Sequence, residues 1–177
     1  MKESELNLVI PKKEHLRLIA EYKEEFLING DSMDGTAGLR DYDDFSLWLR
    51  DVQKNEHKES VRKGLVTATS YLAIRKADER LIGMIQIRHE LNEYLLHCGG
   101  HIGYSVRKSE RRKGYAKEML ALALQECRRL NLKKVLVTCD SENIASAKTI
   151  LANGGVLENV VEDEERFTER YWICIEA

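Results

Sequence analysis

The chain has 177 residues, of which 43% are hydrophobic and 33% charged, and its formal net charge at pH 7 is -2. This length and composition predict a single folded domain over residues 1–177 and argue against a disordered chain. The small net charge gives no electrostatic reason to expect nucleic acid or an anionic membrane as the main partner.

The start of the chain and its cysteines bear on where the protein works. The first five residues, MKESE, lack the apolar stretch of a signal peptide, and no apolar run approaches the roughly 18 residues that a membrane span requires. The four cysteines are far apart in the sequence, at Cys98, Cys127, Cys139 and Cys174. We therefore expect reduced, mostly buried cysteines in a cytoplasmic protein.

Hydrophobic periodicity predicts five elements before residue 90. Apolar residues spaced three and four apart indicate two helices, and two apolar runs joined by a tight turn at residues 76–79 indicate two strands. A segment rich in turn-forming residues, 29–38, separates the two helices as a loop. The predicted bounds are Leu6–Ile10 for a first strand, His15–Ile28 and Asp43–Asn55 for the helices, and Thr67–Arg75 and Arg80–Arg88 for the next two strands.

The second half of the chain alternates strands and helices more regularly. Its longest helix has an apolar stripe from Ala116 to Leu130, and a shorter helix ends at the glycines Gly154 and Gly155. The predicted bounds are Gly99–Val106, Lys134–Cys139, Val156–Val161 and Arg170–Ile175 for strands, and Gly114–Asn131 and Asn143–Ala152 for helices.

The order of these elements predicts a mixed α/β fold. The strand–helix–strand unit from Gly99 to Cys139 requires two parallel strands, because a long helical connection joins them. The other strands are joined by short turns, which favours antiparallel pairing. The sequence therefore predicts a mixed, mostly antiparallel central sheet with helices on both faces.

Positive charge is concentrated where the strand ending at Val106 leads into the longest helix. Arg111, Arg112 and Lys113 stand immediately before Gly114. A helix N-terminus already carries partial positive charge and unpaired N–H groups, so these cations are unfavourable there unless an anion binds. Gly114 leaves room for a close approach to the backbone. We expect a phosphate or pyrophosphate at this turn, and a solvated basic turn capped by Ser109 is the alternative.

The pattern Arg111-x-x-Gly114-x-Ala116, between a strand and a long amphipathic helix, resembles motif A of the GNAT superfamily of N-acetyltransferases. A second block resembles the rest of that signature, with Asn143 after the strand Lys134–Cys139 and Asn153-Gly154-Gly155 after the following helix. The segments His89–Asn92 and Gly99–Tyr104 resemble a bacterial subgroup of predicted acetyltransferases. Together these blocks cover the chain from about residue 70 to its end.

The resemblance implies the GNAT fold, in which the parallel fourth and fifth strands splay apart and acetyl-CoA lies in the opening as co-substrate, without a metal. The pantetheine arm is then expected to pair with the backbone of Tyr104 and Val106, and the pyrophosphate with the basic turn. The cofactor-binding residues implied in this way are Tyr104, Val106, Arg111, Arg112, Lys113, Gly114, Tyr115, Ala116, Asn143 and Ser146.

The catalytic groups are less clear from the resemblance. It implies the Val106 N–H as oxyanion donor, but Ile150 occupies the position of the tyrosine that protonates the leaving sulfur in many GNAT enzymes. Tyr104 or Tyr115 could replace that tyrosine, or the thiolate could leave unassisted, which we favour because a thiol ionises near pH 8.5.

An amine must lose a proton to attack, and two residues are candidates for the base. Glu90 follows the third strand, near where an acceptor would enter, and His101 begins the fourth strand. The alternatives are a surface ion pair for Glu90 and a structural role at the Gly99-Gly100 bend for His101. The histidines and cysteine at positions 89, 97, 98 and 101 have irregular spacing, so we expect no metal site.

The acceptor is an amine that the sequence does not identify. The segment Ile28–Trp48, which shapes the acceptor pocket in GNAT folds, is rich in aspartate. Its acidic residues are Asp31, Asp34, Asp41, Asp43 and Asp44. They would attract a cationic amine, on a small molecule or on a protein, although a solvated polar loop is the alternative. We expect an N-acetyltransferase, with a non-catalytic acyl-CoA sensor as the competing hypothesis and a homodimer as a further expectation.

Overall fold

The computed structural model describes residues 3–163 and 166–175, which form seven strands and four α-helices. The strands are β1 (Leu6–Val9), β2 (Ala68–Arg75), β3 (Leu81–Arg88), β4 (Ile102–Val106), β5 (Lys134–Asp140), β6 (Val156–Asp163) and β7 (Arg166–Cys174). The helices are α1 (Leu16–Asn29), α2 (Phe45–Lys54), α3 (Tyr115–Arg129) and α4 (Ile144–Leu151). Their order along the chain is the one that the sequence predicts.

All seven strands belong to one sheet, in the order β1-β2-β3-β4-β5-β7-β6. β4 and β5 are parallel, and the other neighbouring strands are antiparallel. β4 and β5 share a single registered pair, Ile102 with Val137, and then diverge. β5 stays paired with β7 along its whole length, from Lys134 to Asp140. The predicted mixed sheet with splayed fourth and fifth strands is therefore confirmed.

Two hydrophobic clusters cover the two faces of the sheet. On one face α1 and α2 pack against β2 and β3 through Tyr22, Phe26 and Trp48, which are almost fully buried. On the other face α3 packs through Met119 and Leu120, together with Ile150 of α4. Burial of this apolar surface is the main favourable term holding the helices on the sheet.

The fourth strand begins later than predicted, at Ile102 instead of Gly99. Residues Leu95–Gly99 form a short π-helical segment, in which the Asn92 side chain accepts a hydrogen bond from the Leu95 N–H at 2.9 Å. Gly100 then has a φ of +65°, and a Cβ there would lie 2.7 Å from the Leu136 carbonyl oxygen. The double glycine therefore provides a left-handed bend before β4.

The C-terminal hairpin is longer than predicted. β6 reaches Asp163 and β7 begins at Arg166, where the sequence predicted strands only over 156–161 and 170–175. The added residues are mostly charged or polar, so they lack the apolar alternation that identified the other strands. β7 lies between β5 and β6, which leaves β6 at the edge of the sheet.

The loop between α1 and α2 is fixed against β4. The Ser105 hydroxyl donates to the Asp34 carbonyl oxygen at 2.7 Å, and the Trp48 indole N–H donates to the Thr36 carbonyl oxygen at 2.8 Å. Between them Gly35 packs directly on Gly103, where a Cβ on Gly35 would lie 2.1 Å from the Gly103 carbonyl oxygen. Only a glycine allows this contact, which places residues 31–34 beside the splay.

We predict that Gly35→Ala destabilises the fold much more than Gly30→Ala. Both glycines have positive φ, +72° and +67°, but a Cβ on Gly30 would meet no heavy atom within 4 Å. Gly30→Ala should therefore cost only the left-handed backbone strain, about 1 kcal/mol, whereas the clash at Gly35 should add roughly 2 kcal/mol or more. Denaturant unfolding of the two variants measures the difference, and equal losses would contradict the packing described here.

Candidate active site

The splay of β4 from β5 opens into a cleft of about 570 Å³. Its walls come from the loop at Asp31 and Asp34, the end of β4, the turn before α3 and the beginning of α4. Of the predicted cofactor-binding residues, Lys113 is exposed and does not line this cleft. The others line the cleft: Tyr104, Val106, Arg111, Arg112, Gly114, Tyr115, Ala116, Asn143 and Ser146.

One wall of the cleft is a strand edge that has no neighbour. The Arg107 N–H donates to the Ile82 carbonyl oxygen on β3 at 3.0 Å, and Val106 stands opposite Gly83. Successive residues of a strand direct their backbone groups to opposite sides, so the N–H groups of Tyr104 and Val106 point toward β5. β5 has already turned away there, and these groups face the cleft.

The turn before α3 presents a second set of backbone donors. Within residues 3–163 and 166–175, no residue accepts a hydrogen bond from the N–H groups of residues 112–117. Gly114 immediately precedes α3 with a φ of +88°, and a Cβ there would meet no heavy atom within 4 Å. The free N–H groups and the positive end of the α3 dipole form a site suited to a phosphate group.

The basic side chains of this turn hold the turn together. The Arg111 Nε donates to the Val106 carbonyl oxygen at 2.9 Å, and its Nη2 lies 2.9 Å from Oδ2 of Asp31. The Lys113 Nζ donates to Oε2 of Glu110 at 2.8 Å. Arg112 is exposed at the edge of the cleft. All three cations were predicted to face an anion, but Arg111 and Lys113 also hold the turn through Val106, Asp31 and Glu110.

Glu110 is a site residue that the sequence analysis missed. Its carboxylate is almost fully buried and accepts a hydrogen bond from Arg75 Nη1 at 2.9 Å, while Arg80 Nη1 lies 3.0 Å away. Burial alone would raise the pKa of Glu110, but the hydrogen bonds from Lys113 and Arg75 outweigh it and lower that pKa. The sequence signal for this role is that Glu110 is the one acidic residue in the basic segment 107–113.

The beginning of α4 contributes a pair of hydroxyl groups to the cleft. The Asn143 side chain caps α4 by accepting from the Ser146 N–H at 3.1 Å, and the Ser146 hydroxyl lies 2.8 Å from the Tyr104 hydroxyl. Burial raises the pKa of Tyr104 to about 12. Ile150 is buried in the core beneath α4 and does not reach the cleft. The phenol that contacts α4 at the cleft is therefore that of Tyr104, which is on β4.

Tyr115 is oriented differently from Tyr104. It lines the cleft, but its ring is buried, and its hydroxyl accepts a hydrogen bond from Arg75 Nη1 at 3.2 Å. Arg75 also contacts Glu110, so this hydroxyl belongs to the charged network behind the turn. Tyr115 therefore stabilises the turn, and the Tyr104 hydroxyl is the phenol at the splay.

The two predicted bases lie outside the cleft wall. Glu90 is exposed beyond the end of β3. His101 is buried, and its Nδ1 accepts the Leu136 N–H at 2.9 Å, so that the ring joins the beginning of β4 to β5. Burial lowers the pKa of His101 to about 4, with a smaller effect of Arg88 in the same direction. Their role as base is not tested by this geometry and stays a prediction.

The histidines near the fourth strand are engaged in hydrogen bonds within the fold. No group of three or more His, Cys, Asp or Glu side chains that could hold a metal ion occurs in the part of the chain that the structure describes. The His89 Nε2 lies 2.8 Å from the Thr69 hydroxyl, and His101 is bound to the Leu136 backbone. Over the same described ranges, no helix is long and apolar enough to span a bilayer.

Comparison with known proteins identifies the family to which this chain belongs. Residues 15–156 match the family model of the acetyltransferase (GNAT) domain. The chain therefore belongs to the GNAT family of acetyltransferases and is an enzyme of that class. A comparison with curated proteins found no significant match.

Solved structures agree on the fold. The chain is similar to a ribosomal-protein-S5-alanine acetyltransferase from Vibrio fischeri, with a TM-score of 0.73 at 16% identity, covering 99% of this chain and 96% of that one. Mutant forms of the spermidine/spermine N-acetyltransferase SpeG from Vibrio cholerae give 0.68 at 19% identity, covering 97% and 95%. The microcin C7 self-immunity acetyltransferase MccE, solved with acetyl-CoA and AMP, gives 0.67 at 17% identity, covering 98% and 94%.

We predict that His101 stays neutral well below pH 6.5 and makes stability pH-dependent. Because its pKa is about 4 in the folded protein and about 6.5 when unfolded, the unfolded state binds more protons between these values. His101 should therefore lower the free energy of unfolding by about 2–3 kcal/mol as the pH falls from 7 to 4. NMR titration of the ring measures the pKa, and His101→Asn should unfold with a flatter pH dependence. A ring that titrates near 6.5 would contradict this assignment.

Proposed function

We propose that this enzyme transfers the acetyl group of acetyl-CoA to a primary amine. The observation that carries the proposal is the unpaired edge of β4, which leads directly to the free N–H groups at residues 112–117. A strand edge without a neighbour suits an extended ligand arm that carries amide groups, and a helix N-terminus suits a phosphate. Acetyl-CoA suits both parts of the cleft, because its pantetheine arm carries amide groups and is joined to a pyrophosphate.

Each part of the cleft then has a defined task. The backbone of Tyr104 and Val106 would pair with the pantetheine amides, and the N–H groups before α3 would bind the pyrophosphate. The Val106 N–H would donate to the oxyanion of the tetrahedral intermediate, where a preorganised backbone donor is effective. Lys117 and Lys148 also line the cleft, on α3 and α4, and their charge supports binding of a polyanion there.

The amine must be neutral when it attacks the thioester. An alkylammonium ionises near pH 10.4, so its proton has to pass to a base or to water before or during attack. Glu90 and His101 remain the predicted bases, but neither lines the cleft. A water that carries the proton to bulk solvent is compatible with a cleft that is open at its mouth.

The Tyr104 hydroxyl is the group that we assign to the leaving sulfur. Its pKa of about 12 is above the value near 8.5 of a thiol, so complete proton transfer from this phenol to the thiolate would be unfavourable. A hydrogen bond from the protonated phenol stabilises the thiolate without that transfer. Ser146 can donate to the phenol oxygen and leave the phenol hydrogen for the sulfur.

The competing hypothesis of an acyl-CoA sensor depended on Ile150, which replaces the usual tyrosine. The hydroxyl that Tyr104 places at the cleft weakens that argument. Thiol release from acetyl-CoA in the presence of a panel of amines tests the proposed activity directly, because a sensor would bind the cofactor without turnover.

The acceptor, the oligomeric state and the location stay predictions. Among proteins of this fold, one acts on a ribosomal protein and another on spermidine or spermine, so both a protein amine and a small amine are acceptors to test here. The homodimer and the cytoplasmic location are likewise predictions, as is the absence of nucleic acid and membrane partners.

We predict that Gly114→Ala weakens CoA binding by about tenfold or more, because the added Cβ projects where the pyrophosphate must meet the backbone. Gly154→Ala is the matched control. Gly154 also has positive φ, +83°, and a Cβ there would likewise meet no heavy atom within 4 Å, but it lies outside the cleft wall. Calorimetric titration with CoA compares the variants. Equal dissociation constants would show that the turn does not bind the phosphates.

We predict that Tyr104→Phe lowers kcat by about tenfold or more, since the hydroxyl loses its hydrogen bonds to the departing thiolate and to Ser146. The CoA dissociation constant should stay within about twofold, because the backbone groups of Tyr104 are unchanged. Tyr42→Phe removes a hydroxyl that is bonded to Asp51 at 2.8 Å, away from the cleft, and should leave kcat unchanged. Steady-state thiol release measures both variants. Full activity of Tyr104→Phe would mean that the thiolate leaves unassisted.

A further inference from the structure

Three carboxylates line the cleft, and two of them are already paired with cations. Asp31 lies 2.9 Å from Arg111, and Glu110 is bonded to Lys113 and Arg75. The third is Asp34, whose Oδ2 accepts the Ser32 hydroxyl at 3.0 Å. Within the described residues, no Lys, Arg or His nitrogen lies within 4 Å of the Asp34 carboxylate. Asp34 is therefore the carboxylate of the cleft that has no ion-pair partner there.

Arg88 is near enough to Asp34 for an electrostatic effect, but its hydrogen bonds are made to other groups. Its Nη1 donates to the carbonyl oxygens of Gly99 and Gly100 at 3.0 and 3.1 Å, which fixes the bend before β4. The Asp34 charge raises the Arg88 pKa slightly against the larger lowering effect of burial, without an ion pair between them. Arg88 is therefore not an ion-pair partner of Asp34.

The position of Asp34 is fixed by the backbone around it. Its carbonyl oxygen accepts the Ser105 hydroxyl at 2.7 Å, and the next residue, Gly35, packs on Gly103 and the Tyr104 Cα. Asp34 therefore stands beside β4 at the level of Tyr104, where the N–H groups of β4 turn toward the splay. The acetyl group must be close to this point if the pantetheine lies along β4.

The unpaired charges that line the cleft come from different elements. Arg112 precedes α3, and Lys117 and Lys148 are on α3 and α4, whereas Asp34 is on the loop after α1. Of the other aspartates, Asp31 lines the cleft but is paired with Arg111. Asp44 caps α2 through the Ser46 N–H at 2.8 Å, and Asp43 is exposed outside the cleft. An anionic cofactor and a cationic acceptor would thus enter regions of opposite charge.

We propose that Asp34 binds the protonated amino group of the acceptor and selects cationic amines. This inference rests on the proposed acetyl transfer and adds the charge class of the acceptor and the residue that recognises it. The Asp34 carboxylate contacts the ammonium group in the encounter complex, and the proton is lost to water before attack. Asp34 therefore acts on acceptor binding, and the cofactor site is separate from it.

The experiment measures thiol release from acetyl-CoA with two amine probes at neutral pH. Butylamine is cationic under these conditions, and aniline is neutral. In Asp34→Asn the KM for butylamine should rise about two- to fivefold while kcat stays unchanged, as expected for loss of one ion pair at an exposed position in the cleft. The KM for aniline should be unchanged in the same variant. Added salt should raise the wild-type KM for butylamine and affect the variant less.

Asp43→Asn is the matched control, because it removes the same charge from the same loop at an exposed position outside the cleft. It should leave the KM for both probes unchanged. An unchanged KM for butylamine in Asp34→Asn, or an equal rise for aniline, would overturn the assignment of Asp34 while leaving acetyl transfer established. A wild-type enzyme that binds CoA in calorimetry but never turns over butylamine would also overturn it. Failure to bind CoA at all would refute the proposed function itself.

Discussion

The separation of β4 from β5 is the constraint on which the rest of this structure depends. A sheet normally pairs every interior strand on both sides, because an unpaired and desolvated backbone group costs free energy. Here the ladder between the two parallel strands consists of the pair Ile102 and Val137, and the His101 ring and Gly100 close it at the other end. The sheet remains intact because β5 is fully paired with β7.

The elements around the splay are fastened to one another by contacts that also shape the cleft. Arg111 connects the turn before α3 to the end of β4 and to Asp31 in the loop after α1. The Asn143 cap orients the first turn of α4, and that turn presents Ser146 to Tyr104. Gly35 and Gly103 bring the loop and β4 into backbone contact. The turn before α3, the beginning of α4 and the loop after α1 are therefore each held by a direct contact with β4.

Much of this arrangement could be predicted from the sequence. Apolar periodicity and turn residues are local signals, and they predicted the order of all eleven elements, the parallel pair and the two helical layers. The basic turn could be predicted as an anion site because a helix begins there, whereas the role of Asn143 was implied by the resemblance to GNAT proteins. The five-residue segment at Leu95–Gly99 is too short to show a period, and the charged ends of the last hairpin lack apolar alternation, so their structure was not predicted.

What could not be predicted depends on contacts between distant residues. Glu110 is buried because Arg75, far away in the sequence, reaches it from β2, and Asp34 enters the cleft because Gly35 fits against Gly103. The sequence places both carboxylates in polar segments that are indistinguishable from solvated loops. The same limit applies to Tyr104 and Tyr115, because only the folded structure shows which hydroxyl meets Ser146 and which meets Arg75.

The buried carboxylate of Glu110 changes the charge that the turn before α3 presents to the cleft. Its contacts with Arg75, Arg80 and Lys113 compensate charge that would otherwise accumulate behind the turn. The attraction at the turn then comes largely from fixed backbone dipoles at the beginning of α3, which need no reorganisation when a ligand arrives. Dipoles that touch the ligand directly are screened by dissolved ions far less than exposed side-chain charges. If acetyl-CoA binds at this turn as proposed, its binding should therefore depend only weakly on ionic strength.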